Sequence, residues 1–395
     1  MLGEAEELLP ELVALRRAIH REPELGLQTP KTVAKVRKAL AGLPLEWREG
    51  PSTSGVVALL RGSRPGRSVL LRGDMDALPI HEETGLDFAS QVPDAMHACG
   101  HDAHTAMLVG AARLLCARQA SLAGIVMFMF QPGEESWDGA RKMMADGLIE
   151  PLPDAAFALH VLPNAESGVL KGRTGATFAS MDPVRIRVTG RGGHGSAPHD
   201  ALDPIPVACE IVLAVQAFVT RQVPIFDPCV VTFGRVDAGT THNVIPETAL
   251  LSGTMRTLSP ETRERVKAGI RRLAEGIAAA HGASAEVAFD QGYPVTVSDA
   301  RAVGLARATA RSLFGPAGWQ EMDAPLMAAE DFSYVLEQVP GALLLLGVAT
   351  DADNPGGCCA LHSNRMVLDE QAMPRGAALM AGVAERFLAE GFRQD

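Results

Sequence analysis

Short apolar runs recur through the first half of the chain, and stretches with helical spacing separate them. The runs are Ser68–Leu71, Ile125–Phe130 and Ala155–Leu159, and the helical stretches between them include Thr105–Ala117 and Gly139–Asp146. Apolar runs without polar alternation are typical of strands that are buried on both faces of a parallel sheet. The alternation therefore predicts an α/β fold around a largely parallel central sheet.

Elements near both ends of the chain extend this pattern. Helices are predicted over about 4–21 and 30–40, before the first apolar run. A late apolar run at Ala342–Val348 predicts another buried strand, and a terminal helix is expected near Gln371–Leu388. The two ends of the chain are therefore expected to build one domain together.

The segment between these two parts has a different rhythm. Aliphatic residues alternate with arginines over Val184–Val188, which predicts a half-exposed strand. The order β-α-β-β-α-β, which is ferredoxin-like, is completed by patterns near Pro204–Arg221, Val230–Val236, Ala249–Arg256, Pro260–His281 and Ala285–Phe289. We expect an inserted α+β domain at 182–292 and a catalytic domain formed by 1–181 and 293–395.

Composition excludes several classes of protein. The chain has 395 residues, of which 47% are hydrophobic and 21% charged, as in globular proteins. A net charge of −11 gives no source for the counterion release that drives nucleic-acid binding, so no nucleic-acid partner is expected. The acidic N-terminal segment does not resemble a signal peptide, and no uninterrupted apolar run is long enough to span a membrane. We expect a cytoplasmic protein without a membrane partner.

The six cysteines are scattered, without the spacing of a secreted disulfide framework. Reduced thiols are therefore expected. Five are interpreted as small buried hydrophobic residues, namely Cys116, Cys209, Cys229, Cys358 and Cys359.

Each of the first three apolar runs leads directly into potential metal ligands. Asp74 and Asp76 follow the first run, Glu134 and Glu135 follow the second, and His160 follows the third. A single such cluster is as easily a solvated loop. Because ligands of open α/β sheets gather outside the carboxyl ends of the strands, three clusters in register favour one shared site.

The segment His97–His104 contains three histidines and a cysteine ahead of an apolar helix. Cys99 and His101 can supply a thiolate and an imidazole to one metal centre, and Asp102 or Asp76 can orient the imidazole. We expect the first and last histidines of the segment to be hydrogen-bonded core groups rather than ligands.

Glu134 and Glu135 follow a turn at the end of a buried strand. Adjacent side chains diverge in extended chain, so one carboxylate can bind metal while the other acts as a general base. The dipeptide alone would favour a surface position.

Several distinct motifs are spaced along nearly the whole chain. They are Arg72–Pro79, Cys99–His104, Gln131–Glu135, Gly192–His199, Thr241–Pro246 and Ala329–Phe332. Together they resemble the M20 amidohydrolases, in particular the branch with hippurate hydrolase, N-acyl-amino-acid amidohydrolases and auxin-conjugate hydrolases. The resemblance implies a zinc-exopeptidase-like catalytic domain and an inserted ferredoxin-like domain that serves as lid and dimerisation surface.

The resemblance also implies two divalent metal ions per subunit. The implied ligands are Cys99, His101, Glu135, His160 and His362. His362 also fits independently, because it follows the late buried strand. A thiolate and three imidazoles favour zinc on softness, whereas the resemblance implies that manganese or cobalt supports activity.

Further residues receive catalytic and binding roles. The resemblance makes Glu134 the general base and gives His194 a hydrogen bond to the tetrahedral oxyanion, in its own or a neighbouring subunit. Asp76 is counted with the catalytic residues as a group that orients a ligand. Asn243 and Arg256 occupy positions that hold the substrate carboxylate, and Arg256 suits this role because its planar fork meets a carboxylate bidentately. An exposed strand arginine is the alternative. A homo-oligomer formed through the inserted domain is expected.

The predicted function is metal-dependent hydrolysis of the amide bond of N-acyl amino acids, which are small-molecule substrates. A dipeptidase or carboxypeptidase that uses the same site is the alternative within the enzyme class. A non-catalytic metal-dependent binding protein is the alternative outside it. Glu134 argues against that last alternative, because binding does not need a base.

Overall fold

The computed structural model describes residues 1–351 and 360–392. The described helices are α1 Leu2–Glu7, α2 Leu9–His20, α3 Pro30–Ala39, α4 His101–Cys116, α5 Gly139–Ala145, α6 Pro204–Gln222, α7 Pro260–Ala280, α8 Ala300–Phe314, α9 Ser333–Leu336 and α10 Met373–Glu390. The described strands are β1 Leu45–Glu49, β2 Val56–Arg61, β3 Arg64–Asp74, β4 Ala123–Gln131, β5 Ala155–Leu162, β6 Leu170–Gly172, β7 Gly175–Phe178, β8 Asp182–Thr189, β9 Gly193–His194, β10 Cys229–Ala238, β11 Val244–Ile245, β12 Thr248–Thr257, β13 Ser284–Phe289, β14 Thr296–Ser298, β15 Trp319–Glu321 and β16 Gly341–Gly347.

These elements form two compact units. Unit 1 consists of the described residues of Met1–Thr177, Val297–Ala324 and Asp331–Asp395. Unit 2 consists of Phe178–Thr296 and Pro325–Glu330. The inserted domain at 182–292, as an independently folding body, stays a prediction.

Unit 1 is built on an eight-stranded mixed sheet. Its strand order is β1-β2-β4-β3-β5-β16-β6-β15. The four central strands run parallel, from β4 through β3 and β5 to β16. Antiparallel pairs occur toward the edges, between β1 and β2, β2 and β4, and β16 and β6. The predicted α/β fold with a parallel centre is therefore confirmed.

Burial explains why the central strands have unbroken apolar sequences. β16 is buried along its whole length, because helices cover the sheet. α4 packs on β3 and β5 and also contacts α2 and α10. The helix predicted over 4–21 is divided into α1 and α2 at Leu8. Pro10 lies in the first turn of α2 and has no N–H to donate to a preceding turn, so a new helix begins there.

Unit 2 contains a four-stranded antiparallel sheet with the order β10-β12-β8-β13. Its elements follow the ferredoxin-like order β8, α6, β10, β12, α7, β13 along the chain. α6 contacts β8, β10 and β12, and α7 contacts β12 and β13. A separate short hairpin pairs β9 with β11.

Among the described helices, α6 has the length and composition of a membrane span. This is a weak indication, because the core helix of a soluble protein passes the same test. One face of α6 packs in the core of unit 2 through Ile211, Val215 and Phe218.

The cysteines differ in burial. Cys99 and Cys116 are buried, and Cys229 is half-buried. Cys209 is exposed on α6, so the prediction of a buried residue is wrong there. Cys358 and Cys359 lie outside the described residues.

Candidate metal centre

The candidate ligands of unit 1 follow the carboxyl ends of the central strands. β3 ends at Asp74, which pairs with Gln131 at the end of β4. His160 lies near the end of β5, opposite Leu345 of β16. Because parallel strands end at one edge of a sheet, segments far apart in sequence meet there.

Two groups of ligand atoms share Cys99. The first contains Cys99, His101 and His160, and the second contains Cys99, Glu135 and His362. Within each group the ligand atoms lie within 4.8 Å of one another. Cys99 Sγ is 3.4 Å from His160 Nε2, and His362 Nε2 is 3.2 Å from Glu135 Oε1. The structure therefore brings together all five residues that the resemblance names as ligands.

Local backbone conformation makes these groups possible. Gly100 has a φ of +83°, and a Cβ at this position would lie 2.4 Å from Val161 Cγ2. Only glycine therefore allows Cys99 and His101 to flank so tight a turn. His362 has a φ of +67°, and its backbone N–H donates to Ala98 O at 2.9 Å. Such strained residues cluster at functional sites.

Asp76 holds the loop that carries the two glutamates. Its Oδ1 accepts a hydrogen bond from Glu134 N and its Oδ2 accepts one from Glu135 N, both at 3.0 Å. The loop is closed by a hydrogen bond from Gly139 N to Gly133 O. One buried carboxylate thus fixes the direction of two adjacent side chains. Glu134 Oε also shares a group with His101 and Glu135 in which the ligand atoms lie within 4.8 Å of one another.

Hydrogen bonds to carbonyl groups fix the tautomers of two ligand histidines. His101 Nδ1 lies 2.8 Å from Asp76 O, and His160 Nδ1 lies 2.7 Å from Val161 O. A carbonyl oxygen only accepts, so each Nδ1 carries a proton, and Nε2 is the ring atom that can bind a metal when the imidazole is neutral. His101 Nε2 is buried, has no hydrogen-bond partner within residues 1–351 and 360–392, and lies 3.5 Å from Asp74 Oδ2. Two imidazole lone pairs aimed beside a thiol fit a bound divalent metal.

The electrostatics of the site also fit a cation. Hydrogen bonds with Cys99 and Glu135 raise the pKa of His362 to about 10. Burial raises the pKa of the Cys99 thiol, whereas a bound cation stabilises the thiolate. Burial also opposes ionisation of Glu135, but its hydrogen bond with His362 and the charge of His101 leave its pKa lowered.

Asp102 does not orient a ligand imidazole, contrary to one of the two alternatives from the sequence. Its Oδ2 accepts hydrogen bonds from Arg16 Nε and His20 Nδ1, both at 2.7 Å. His20 Nε2 lies 3.2 Å from Glu82 Oε1. Burial raises the pKa of Asp102. The charge of Arg16 and the hydrogen bond from His20 together outweigh burial, so the pKa lies far below its usual range. Asp76, the other alternative, is the residue that contacts His101.

The outer histidines of the Cys99 segment are buried. His104 Nε2 accepts from Val161 N at 2.9 Å, so its Nδ1 donates to Asp74 Oδ1 at 2.6 Å, as expected for a hydrogen-bonded core group. His97 is fully buried, and neither of its ring nitrogens has a hydrogen-bond partner in the described part of the chain. Burial lowers the pKa of His97 to about 3, which keeps the ring neutral.

A second buried network supports the glutamate loop. Arg72 donates to Asp74, Gln131 and Asp331 at 2.6–3.1 Å. Asp331 also accepts from the Gln131 amide and from Ala140 N. Burial raises the pKa of Asp74, but the charge of Arg72 together with those of His101 and His104 holds it well below its usual range. Sequence reasoning gave Asp331 no role, although it lies in one of the recurring motifs.

Arg16 is also a missed residue, and the sequence carries a signal for it. Leu12, Arg16 and Ile19 share one face of α2, and all three are fully buried. An arginine at helical spacing among apolar residues indicates a buried ion pair, since charged groups are rarely buried without a partner.

The predicted residues of unit 2 fall at two places. Val244 pairs with His194 in the β9–β11 hairpin, and Gly195 N donates to Asn243 O, so His194 and Asn243 belong to one structure. Ser196 N donates to His194 Nδ1, so the ring proton lies on the exposed Nε2. Arg256 lies eight residues along β12 from Thr248, the end nearest the hairpin. At about 3.3 Å per residue, Arg256 is about 26 Å from Thr248 along the strand.

Arg256 is half-buried and donates to Met327 O at 3.3 Å. Within residues 1–351 and 360–392 its guanidinium has a backbone carbonyl as partner and no ion pair, and burial lowers its pKa. A guanidinium in this state suits a carboxylate ligand.

Comparison with known proteins assigns the chain to a family. The model of peptidase family M20/M25/M40 matches residues 70–386. The chain belongs to this family. It is an M20-family hydrolase.

The relatives of this M20 hydrolase cover nearly its whole length. An N-acetyl-L-cysteine deacetylase of Bacillus subtilis is 37% identical over 379 residues, which are 96% of this chain and 88% of the relative. Thermostable carboxypeptidase 1 of Saccharolobus solfataricus is 36% identical over 389 residues, which are 98% of this chain and 97% of the relative.

A solved structure shares the fold. The crystal structure of a dinuclear metal-binding peptidase of the M20 family from Bacillus subtilis matches with a TM-score of 0.84 and 35% identity, over 97% of this chain and 99% of that chain. Together with the two ligand groups that share Cys99, this likeness supports two metal ions in unit 1.

Proposed function

We propose that this M20 hydrolase cleaves the amide bond of N-acyl amino acids and releases a carboxylic acid and a free amino acid. The observation that carries the proposal is the position of Glu134. It is a carboxylate in addition to the five ligands, it lies beside His101 and Glu135, and its backbone is fixed by Asp76. A carboxylate held beside a metal centre fits a general base. The similarity to an N-acetyl-L-cysteine deacetylase supports an N-acyl substrate.

We assign two divalent cations to the two groups that share Cys99. When bound, they polarise the amide carbonyl and lower the pKa of water. The thiolate and imidazole donors favour zinc by softness, and manganese and cobalt are the alternatives. Asp76 positions the centre from behind, through its carbonyl oxygen to His101 and its carboxylate to the glutamate loop.

The chain's own residues move the protons. Glu134 takes a proton from water as the water oxygen attacks the carbonyl carbon. As the C–N bond breaks, Glu134 gives that proton to the leaving amine nitrogen. His194, with its proton on the exposed Nε2, is assigned the hydrogen bond to the oxyanion. Asn243 and Arg256 are assigned the substrate carboxylate.

The geometry of unit 2 supports a homo-oligomer. The hairpin that carries His194 and Asn243 precedes Thr248, and Arg256 lies about 26 Å along β12 from Thr248, whereas an N-acyl amino acid is much shorter. One copy of unit 2 therefore carries the hairpin and Arg256 toward opposite ends of β12. Two copies can present all three residues to one substrate, if the hairpin of one acts with Arg256 of the other.

The surface of unit 2 offers a place for such pairing. β10 is an edge strand, and Val230 and Val236 on it are exposed. Leu213 on α6 is 71% exposed, and Ile225 and Phe226 directly after α6 are 80% and 93% exposed. An open strand edge beside exposed apolar side chains fits an isologous contact between two copies.

The free thiols support a reducing compartment, and we place the protein in the cytoplasm.

A substrate panel tests the proposed function. The purified protein is assayed with N-acetyl and N-benzoyl amino acids, with dipeptides and with longer peptides, after reconstitution with zinc, manganese or cobalt. We expect release of the free amino acid from the N-acyl substrates and loss of turnover after chelation. Full activity of a verified metal-free preparation would contradict the proposal.

The same panel decides between the proposal and its alternative. The similarity to thermostable carboxypeptidase 1 favours cleavage of the C-terminal residue of peptides as the second candidate function. Turnover of peptides together with inert N-acyl amino acids would establish that activity instead. Metal binding without turnover of any substrate would indicate a binding protein.

A further inference from the structure

The loop that carries Glu134 begins at Gln131, the last residue of β4, and ends in the first turn of α5 at Ala140. Asp331 lies 200 positions after Gln131 along the chain, and its carboxylate contacts both ends of this loop. Gln131 Nε2 donates to Asp331 Oδ1 and Oδ2 at 2.8 and 2.9 Å. Ala140 N donates to Asp331 Oδ2 at 2.8 Å. Asp331 therefore joins the two ends of the segment Gln131–Ala140, which we call the base loop.

The junction at Asp331 is buried and fully hydrogen-bonded. The Asp331 side chain has no exposed surface, and Arg72 Nη2 donates to its Oδ1 at 3.1 Å. Arg72 also donates through Nε to Gln131 Oε1 at 2.8 Å and through Nη1 to Asp74 Oδ2 at 2.6 Å. Charge-assisted hydrogen bonds in a buried site are strong and directional. The ends of the base loop are therefore fixed to each other and, through Arg72, to the end of β3.

The backbone of the base loop is not one that its own residues prefer. Ser136 and Asp138 have φ values of +69° and +56°. Residues with a Cβ adopt this region at a cost, and they persist there where the surroundings hold them. A Cβ at Gly139 would lie 1.7 Å from Pro132 O, so the two ends of the loop also touch. The loop therefore depends on contacts from outside it, and Asp331 supplies them at both ends.

Two carboxylates from outside the base loop hold it at different places. Asp76 accepts the backbone N–H groups of Glu134 and Glu135 in the middle of the loop. Asp331 holds the ends, and one of its carboxylate oxygens lies within 4.8 Å of a carboxylate oxygen of Glu134. Asp331 is therefore close to the side chain of the proposed base as well as to the ends of its loop.

We propose that Asp331 is a positioning residue for the general base, and that it acts on turnover through Glu134. The inference rests on the proposed function, in which Glu134 transfers the proton. A base works only within hydrogen-bond reach of the proton that it takes, so a small shift of the loop lowers the rate. Glu135 belongs in addition to a ligand group with Cys99 and His362, so metal binding depends less on Asp331.

The test uses Asp331→Asn, which keeps the size of the side chain. Its amide NH2 replaces an acceptor oxygen and meets an N–H donor, so one end of the base loop is released. We expect kcat to fall about 10–100-fold, because a misplacement of about 1 Å can cost that factor. KM should change less than about threefold, since the substrate contacts are intact. Metal content by elemental analysis should match that of the wild type.

Asp146→Asn is the matched control. Asp146 is a half-buried residue directly after α5, at the opposite end of this helix from the base loop. Its carboxylate accepts a backbone N–H and a hydroxyl, both from Ser52, at 2.9 and 2.7 Å. This variant should keep the wild-type kcat. Gln131→Met releases the other end of the base loop and replaces Asp331→Asn if that protein does not fold, as judged by circular dichroism.

A double variant shows whether Asp331 acts through Glu134. In Glu134→Gln the base is absent, so adding Asp331→Asn should change the remaining kcat by less than about twofold. A residue that only supports the fold would lower kcat by the same factor in both backgrounds. The comparison therefore separates positioning of the base from general structural support.

The outcomes distinguish the inference from the proposed function. If the wild type hydrolyses no N-acyl amino acid, the proposed function fails and the inference fails with it. If N-acyl amino acids are hydrolysed but folded Asp331→Asn keeps the wild-type kcat, or loses the same factor with and without Glu134, the inference is wrong and the function stands. If Asp331→Asn loses metal in proportion to turnover, Asp331 supports the metal centre, and its assignment to the base is overturned.

Discussion

Asp76 holds the backbone N–H groups of two adjacent glutamates, to which we assign different tasks. Glu135 joins Cys99 and His362 in a ligand group, whereas Glu134 is not needed to complete either group that shares Cys99. The difference between the two carboxylates lies in their direction, since their chemistry is identical. Substituting each in turn therefore separates metal binding from proton transfer.

We expect Glu134→Gln to keep its metal and to lose about 10²–10⁴-fold in kcat, because general acid–base catalysis contributes about that factor. Glu135→Gln is the matched control, and it should lose metal as well as turnover. Metal content by elemental analysis and steady-state kinetics measure both effects. Near-normal turnover by Glu134→Gln would remove Glu134 from the role of base.

Residue types at the ends of strands could be predicted from the sequence, but their partners could not. Cys99, His101 and Glu135 follow recognisable patterns. The choice between Asp76 and Asp102 as the group behind His101 depends on the fold, since Asp76 meets His101 through its backbone carbonyl and Asp102 points elsewhere. Asp102 turns toward Arg16 and His20 of α2, a helix more than eighty positions earlier in the chain. No local pattern at Asp102 contains that information.

The contact between α2 and the start of α4 is an element-scale feature with a pH dependence. Burial raises the pKa of Glu82, but hydrogen bonds with His20, Thr84 and Ser90 lower it, to about 2. A carboxylate whose pKa is lowered on folding stabilises the protein above its unfolded pKa, here 4.5. That contribution is lost as the pH falls from about 5 toward 2.

We therefore expect the Tm of the wild type to fall more steeply below pH 5 than the Tm of Glu82→Gln. Thermal unfolding monitored by circular dichroism at a series of pH values measures this. Glu46→Gln is the control, because Glu46 pairs with Arg61 on the surface, where screening leaves little stabilisation. Parallel curves for wild type and Glu82→Gln would show that the contact does not contribute.

Helices and strands with a long run or a clear period of apolar residues could be predicted, whereas elements of only a few residues could not. β16 and the central strands are unbroken apolar runs, so their burial was evident. β6, β14 and β15 have three residues each, too few to establish a period. The division of the first helix at Leu8 follows from Pro10, a signal that apolar periodicity across both helices obscures.

At the scale of the whole molecule, a complementation experiment tests whether the hairpin of one subunit acts with Arg256 of another, since β12 carries them toward its opposite ends. We expect His194→Ala and Arg256→Ala each to be impaired alone. Subunit exchange between them should restore about a quarter of the wild-type sites, because half of a random set of dimers is mixed and each mixed dimer carries one intact site. Kinetics after co-expression, with mass measurement of the oligomer, provides the readout.

The control for this experiment pairs His194→Ala with Asn243→Ala. Both residues belong to the β9–β11 hairpin. In a mixed dimer one hairpin lacks His194 and the other lacks Asn243, so neither hairpin is complete and no activity should be restored. Absence of rescue in both mixtures would contradict the exchange of residues between subunits. From the sequence, an oligomer is implied only by the family resemblance. The distance from Thr248 to Arg256 along β12 can be estimated only once the strand and its position in the sheet are known.

The strand order of unit 1 also governs how the chain folds as it leaves the ribosome. β16, which comes after residue 340, lies inside the sheet between β5 and β6, strands synthesised far earlier. Those two strands must wait with unpaired edges, a state that invites aggregation, until nearly the whole polypeptide has emerged. Unit 2 comes almost entirely from one continuous stretch, which is synthesised before β16. The protein is therefore expected to depend on chaperones that shield open strands during its synthesis.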